Sequence, residues 1–128
     1  EKPALITSFR PHMHMRGRAQ SLQAIYPDGS RKMLARVDKY DHSWQINYEF
    51  AEDAAPLLPQ GTMLMITSTW DNTADNPNNP DPRQWVVFGQ RGVDEMSHLW
   101  LGITYLSEDQ FDRLTDERNA RLTAANGE

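Results

Sequence analysis

His12 and His14 stand two residues apart in Pro11-His12-Met13-His14-Met15, and chemistry enters the chain at that spacing. On a β-strand, residues two apart point to the same face. The pair therefore presents two imidazoles about 6–7 Å apart at Cα, close enough to share one metal ion. A lone His-x-His is also what two ordinary surface residues look like, so a second element matters. It is Asp94-Glu95-Met96-Ser97-His98-Leu99-Trp100, where a strand sets Met96, His98 and Trp100 on one face. A thioether is a soft ligand that suits copper, Cu(I) above all, and suits zinc, magnesium or calcium poorly. Two His and one Met thus favour one copper ion, against the usual use of Met as a filler of core gaps. Periodicity alone does not bring Met96 to the histidines. His98, on the face of Met96, is read as a further ligand, a pocket-lining proton donor beside the metal, or a residue with no role. His42 reads as a packed or surface histidine, with metal contact the minority reading.

Composition bounds what else the chain can be. It has 128 residues, 38% hydrophobic, with 8 Pro and 7 Gly, which predicts one loop-rich domain over 1–128 with a modest core. The absence of Cys excludes disulfides, cysteine zinc sites, iron–sulfur clusters and a thiol nucleophile. No apolar run approaches the about 20 residues of a membrane helix, so no membrane insertion is expected. Glu1-Lys2-Pro3 is no signal-peptide start, which predicts a soluble chain or a mature or excised piece of a longer one. A net charge of −5 argues against a nucleic-acid partner. Residues 10–39 nonetheless hold seven basic residues, Arg10, Arg16, Arg18, Arg31, Lys32, Arg36 and Lys39, against Asp28 and Asp38. These read first as outward strand residues that blunt sheet edges, and second as attraction for an anionic substrate or reductant.

The elements that must position these residues read as short strands. Leu5 to Met15 leads to a break at Gly17, and Ala19 to Tyr26 runs into the turn Pro27-Asp28-Gly29-Ser30. Arg31 to Val37 returns as the second strand of a hairpin. Ser43 to Phe50 alternates, with Trp44, Ile46, Tyr48 and Phe50 on the face predicted to be buried. Thr62 to Trp70, Trp85 to Phe88 and Ser97 to Leu106 are further strand candidates, and Asp71 to Pro82 is a polar Asn/Asp/Pro surface loop. Ser107-Glu108-Asp109-Gln110 is a capping box opening a helix along Phe111, Leu114, Arg118 and Leu122, with Asn126-Gly127 as its stop. Consecutive strands without alternating helices predict an all-β fold, an antiparallel β-sandwich with a short C-terminal α-helix.

Between Phe9 and Leu106 the chain resembles the C-terminal domain of the copper type II, ascorbate-dependent monooxygenases, and its bacterial branch most. The residues that carry the resemblance are Phe9-Arg10-Pro11-His12-Met13-His14-Met15-Arg16-Gly17, Tyr26-Pro27-Asp28-Gly29, Tyr40-Asp41-His42-Ser43-Trp44-Gln45, the loop from Asp71 to Pro80, and Asp94-Glu95-Met96 before an apolar strand. The resemblance implies a jelly-roll-like sandwich that binds one copper through His12, His14 and Met96. It implies that O2 binds there and substrate C–H hydroxylation follows, with a small molecule or peptide as substrate. Arg10 matches an arginine that helps hold a substrate carboxylate. His98 and Trp100 stand where the peptide-hydroxylating relative has Asn and Tyr, which departs from a peptidylglycine site. The family also uses a second copper on a separate domain, held by three His. Four His in all, two of them assigned, leave this chain unable to hold that site. An electron-donating domain or protein, a cytochrome for example, is therefore expected, in a periplasmic or extracellular setting.

Three functions stay open on the sequence. One is the oxygen-activating half of a larger copper monooxygenase, with an open coordination position beside a pocket. Another is a copper-binding, delivery or electron-transfer module with a saturated site, in keeping with Met13 and Met15. The last is a structural or carbohydrate-interacting sandwich, whose sign would be exposed Trp70, Trp85 or Trp100.

Overall fold

The computed structural model describes residues 2–125. Its strands are β1 (Ala4–Met13), β2 (Gly17–Ile25), β3 (Arg31–Val37), β4 (Tyr48–Glu49), β5 (Leu57–Leu58), β6 (Met63–Trp70) and β7 (Ser97–Tyr105), followed by the helix α1 (Glu108–Ala125). Two antiparallel sheets form. In the first, β1 pairs on one side with the short β4 and β5 and on the other with β7 along nearly its whole length. The second has the order β3-β2-β6. The predicted all-β sandwich with a C-terminal helix is the observed fold.

Alternation along β1 builds the core. Ala4, Ile6, Phe9, Pro11 and Met13 are buried, while Arg10 is exposed and His12 half-buried on the opposite face. A register shift between Ile6 and Ser8 moves the inward residue from an even to an odd position, which a β-bulge does by inserting one residue. Ile6, Ala24 and Leu58 form the centre, flanked by Tyr26, Leu34, Phe50, Leu64 and Leu101. At the other end of the interior the sheets are joined by polar groups. The Gln20 amide donates to Ser68 Oγ at 3.0 Å and to Ser97 Oγ at 2.8 Å, and the two hydroxyls lie 2.6 Å apart. One residue from each of β2, β6 and β7 thus meets in the inter-sheet space.

Turns fall where the residues demand them. Gly29 has φ of +83°, a conformation that costs a β-carbon residue more than Gly, and closes the β2–β3 hairpin. The break at Gly17 is the corner where the chain leaves one sheet for the other: the Gly17 N–H donates to the His14 carbonyl at 2.9 Å. The capping box forms, with the Gln110 N–H on Ser107 Oγ at 3.2 Å and the Ser107 N–H on Gln110 Oε1 at 2.9 Å. The stop at Asn126-Gly127 lies outside the described residues. No helix of the described residues is long and apolar enough to cross a membrane.

Two expected strands do not form as read. Of Ser43–Phe50 only Tyr48–Glu49 pairs. The Asp41 carboxylate accepts from the Ser43 N–H and hydroxyl, and the Asp41 carbonyl accepts from the Trp44 N–H. Such side-chain bonds turn the backbone away from a ladder. Trp44, placed on the buried face by alternation, is accordingly 67% exposed. Trp85–Phe88 is a loop with a single bridge, Phe88 to Glu95, and Trp85 is fully exposed. The basic residues divide. Arg31, Lys32 and Arg36 are exposed on the edge strand β3, as read, whereas Arg16 is buried at 3% exposure.

Candidate metal centre

All four histidines of the chain gather at one end of the β1–β7 pair. In the ladder His12 lies opposite His98 and Arg10 opposite Trp100, so these four side chains share the outer face of the first sheet. The His12 ring centroid is 5.3 Å from that of His14, 6.1 Å from that of His98 and 5.5 Å from that of Trp100. His14 in turn is 5.9 Å from His42. The Arg10 guanidinium lies 5.5 Å from the centre of the Trp100 ring, at cation–π range.

Each ring at the corner is oriented by an oxygen acceptor. His12 Nδ1 donates to Gln45 Oε1 at 2.5 Å, His14 Nδ1 to the Asp94 carbonyl at 3.2 Å, and His42 Nδ1 to the Met13 carbonyl at 3.3 Å. A proton held on Nδ1 leaves the Nε2 lone pair as the donor toward a metal, the usual outer-shell arrangement of ligating histidines. Gln45 is itself fixed, because its amide nitrogen donates to the His42 carbonyl at 2.9 Å. Burial holds the His12 pKa below the ordinary 6.5; the neighbouring histidines add to this, and the bond to Gln45 opposes it. The neutral ring that metal binding requires is thereby favoured.

Met96 immediately precedes β7 and is 6% exposed. The β1–β7 ladder ends at the Met13–Ser97 pair, so Met96 and His14 each adjoin its last rung, and the His14 ring bonds the carbonyl of Asp94, two residues before Met96. The fold therefore brings the second sequence element to the first. Among the described residues no three His, Asp or Glu side chains form a group that could hold a metal ion. A set of two imidazoles and one thioether requires only two of those groups, and its donors match a soft, low-coordinate cation.

The seat of this end is a seam that sequence reading missed. The Arg16 guanidinium donates to Asn79 Oδ1 at 2.8 Å and to the Val93 carbonyl. The Met15 N–H donates to the Gly92 carbonyl at 3.3 Å, and the Asp71 N–H to the Arg16 carbonyl at 2.9 Å. The polar loop is thus a clamp on the corner as well as a surface loop, with Asn76 buried in it. Tyr40, also buried, accepts from the Met13 N–H at 2.9 Å and donates to the Met13 carbonyl at 2.7 Å. Gln45, Tyr40 and Arg16 all act across long sequence separations, and no local pattern marks their roles; the one signal is that they fall in the Phe9–Gly17 and Tyr40–Gln45 segments that carry the resemblance.

At this end His14 and Met96 are buried, His12 is half-buried and Trp100 is exposed. Grooves of 620 Å³ and 230 Å³ lie elsewhere, the first between α1 and β3, the second beside β3 and β4. The tryptophans divide: Trp85 is fully exposed and Trp100 is 52% exposed, while Trp70 is half-buried and its indole N–H lacks a partner. A scan of protein-family models and searches of curated proteins and solved structures found no match to this chain.

Proposed function

We propose that this domain binds one copper ion through His12, His14 and Met96 and serves as the oxygen-activating half of a copper monooxygenase. The observation that carries the reading is the orientation of both histidines. Their Nδ1 protons rest on Gln45 and on the Asp94 carbonyl, which leaves both Nε2 lone pairs free to bind a metal. Copper there would supply one-electron chemistry toward dioxygen. The chain's own residues have other tasks. Gln45 fixes the tautomer of His12, the Asp94 carbonyl fixes that of His14, and burial keeps His12 uncharged. Arg10 and Trp100, side by side on the face next to His12, offer a charge and an aromatic plane to an anionic substrate. His98, across the ladder from His12, is placed beside that ligand set, where it would hold or move a proton.

Two features support a half-site. The four histidines are committed to one row, leaving no second set of three for an electron-donating copper. Arg10 and Trp100 beside His12 are also exposed, and a further domain or protein that delivers the electrons would dock on that side. Such an assembly fits a periplasmic or extracellular setting. The alternative is a copper-carrying or electron-transfer module without oxygenase chemistry, in keeping with the burial of His14 and Met96.

Copper titration with X-ray absorption tests the reading. One Cu(I) per chain with two nitrogens and one sulfur is expected, with the sulfur lost in Met96→Leu and binding lost in His12→Ala. Cu(I) without a sulfur neighbour, or full binding by His12→Ala, would overturn the ligand set. O2-dependent hydroxylation in the presence of an external reductant separates an oxygenase half from a carrier.

A further inference from the structure

The two flanks of the sandwich are finished differently. On one flank the sheet edges are β3, which displays Arg31, Lys32 and Arg36, and the two-residue strands β4 and β5. Charge and shortness are the ordinary protections of a free edge. On the other flank stand β6, Met-Leu-Met-Ile-Thr-Ser-Thr-Trp, and β7, Ser-His-Leu-Trp-Leu-Gly-Ile-Thr-Tyr. Neither contains a Lys, Arg, Asp, Glu or Pro. Contact of Ser68 with Ser97 puts the two on the same side of the molecule. Each pairs with only one strand among the described residues, β6 with β2 and β7 with β1. Met63, Ile66, Trp100, Ile103 and Tyr105 are between 41% and 68% exposed along this flank.

The open groups of β7 can be named. The Gly102 N–H is directed to Ser8 on β1, and the Leu106 N–H to the Pro3 carbonyl. Backbone groups of successive residues alternate between the two sides of a strand. The N–H and C=O of Ser97, Leu99, Leu101, Ile103 and Tyr105 therefore face the free edge. The middle of the strand is Leu101, which is one of these residues.

We infer that β7 is the seam of a two-fold homodimer, in which the β7 edges of two copies pair antiparallel about Leu101. The second copy is the occupant because the edge is self-complementary. A two-fold axis at Leu101 sets Leu101 against the partner's Leu101, Leu99 against the partner's Ile103, and Ser97 against the partner's Tyr105. Each is a hydrogen-bonded pair that uses both open groups of the residues involved, so no open amide of β7 is left over. On the inner face leucine meets leucine and isoleucine, and no like charges are opposed. Self-pairing of β3 would instead set arginines and lysine against one another. An isologous contact of this kind closes on itself and does not propagate. The inference stands independently of any bound metal.

Sedimentation equilibrium of the whole chain, with amide hydrogen exchange, is the test. Wild-type protein is expected at twice the chain mass, with slow exchange at Leu99, Leu101 and Ile103. Ile103→Pro removes one edge donor at a position where an edge strand tolerates proline. It is expected at the chain mass, with unchanged circular dichroism and fast exchange at Leu99 and Leu101. Should Ile103→Pro fail to fold, Ile103→Lys puts a charge in the seam and is expected to give the same halving. Met33→Lys, on the opposite flank, is expected to stay dimeric. Wild type at the chain mass throughout would overturn the inference, as would a dimer indifferent to both Ile103 variants. A monomer with protected β7 edge amides would show another segment on that edge, which also overturns it.

Discussion

The corner between β1 and β2 and the helix α1 are attached to the same sandwich by opposite means. At the corner, buried polar groups meet partners far away in sequence: Arg16 with Asn79 and Val93, His14 with Asp94, Tyr40 with Met13. Along α1 no residue is buried. The helix is tied by its capping box and by Arg118, whose guanidinium donates to the carbonyls of Ala55 and Glu52. A buried donor or acceptor left unpaired costs far more than a water-exposed one. The corner is therefore a place where one change propagates, and the helix a place where changes stay local.

The largest expected effect is at Arg16. Arg16→Ala strands a buried carbonyl and Asn79 and is expected to cost about 3 kcal/mol, lowering the thermal midpoint by about 10 °C. Gly17→Ala comes next. A β-carbon there would stand 2.7 Å from Met13 Cβ and 3.1 Å from the His14 carbonyl, neither of which is a free side-chain end. About 2 kcal/mol is expected, read from denaturant unfolding. Midpoints for both variants equal to wild type would erase the contrast between corner and helix.

Gln45→Ala moves the comparison from stability to the site itself. Loss of the acceptor for His12 is expected to weaken Cu(I) binding about 10–100-fold in a competition assay, with little change in the unfolding midpoint. The pKa of His12, followed by NMR, should fall further, because the bond to Gln45 opposes the effect of burial. The same burial sets a pH dependence in the metal-free protein. With His12 titrating below 6.5 in the fold, the unfolded chain takes up that proton first. Stability is then retained above about pH 6.5 and falls as the pH drops below it, until the folded His12 is protonated too. The smallest effect belongs to α1. Ser107→Ala is expected to cost about 1 kcal/mol, seen as faster amide exchange in the first helical turn with the corner amides unchanged.

How much of this was readable in advance divides along the same line. β2, β3, β6, β7 and the capping box were legible because period-2 alternation, the Pro27-Asp28-Gly29-Ser30 turn and the Ser107–Gln110 pairing are local patterns. Ser43–Phe50 alternates equally well, yet Asp41 turns its start into a bonded loop that presents Gln45 to His12. Arg16 looked like its basic neighbours on the edges. Only the loop that folds back over the corner makes it a buried anchor.

The sequence by itself determined the all-β sandwich and the cap that starts the helix, and it supplied His12, His14 and Met96 as the proposed ligand set. Side-chain type and near-neighbour spacing suffice for those. Tertiary structure decided that Met96 adjoins the same end of the β1–β7 ladder as His14, that His98 and Trp100 share the face of His12, and that Gln45 and the Asp94 carbonyl hold the rings. It also decided which flank is guarded by charge and which is left open. The physical reason is that each of these facts depends on the register of β1 against β7 and on the fold-back of the 71–96 loop. Both are set by packing and hydrogen bonds between residues as far apart in the chain as Pro3 and Leu106, beyond the reach of any local pattern.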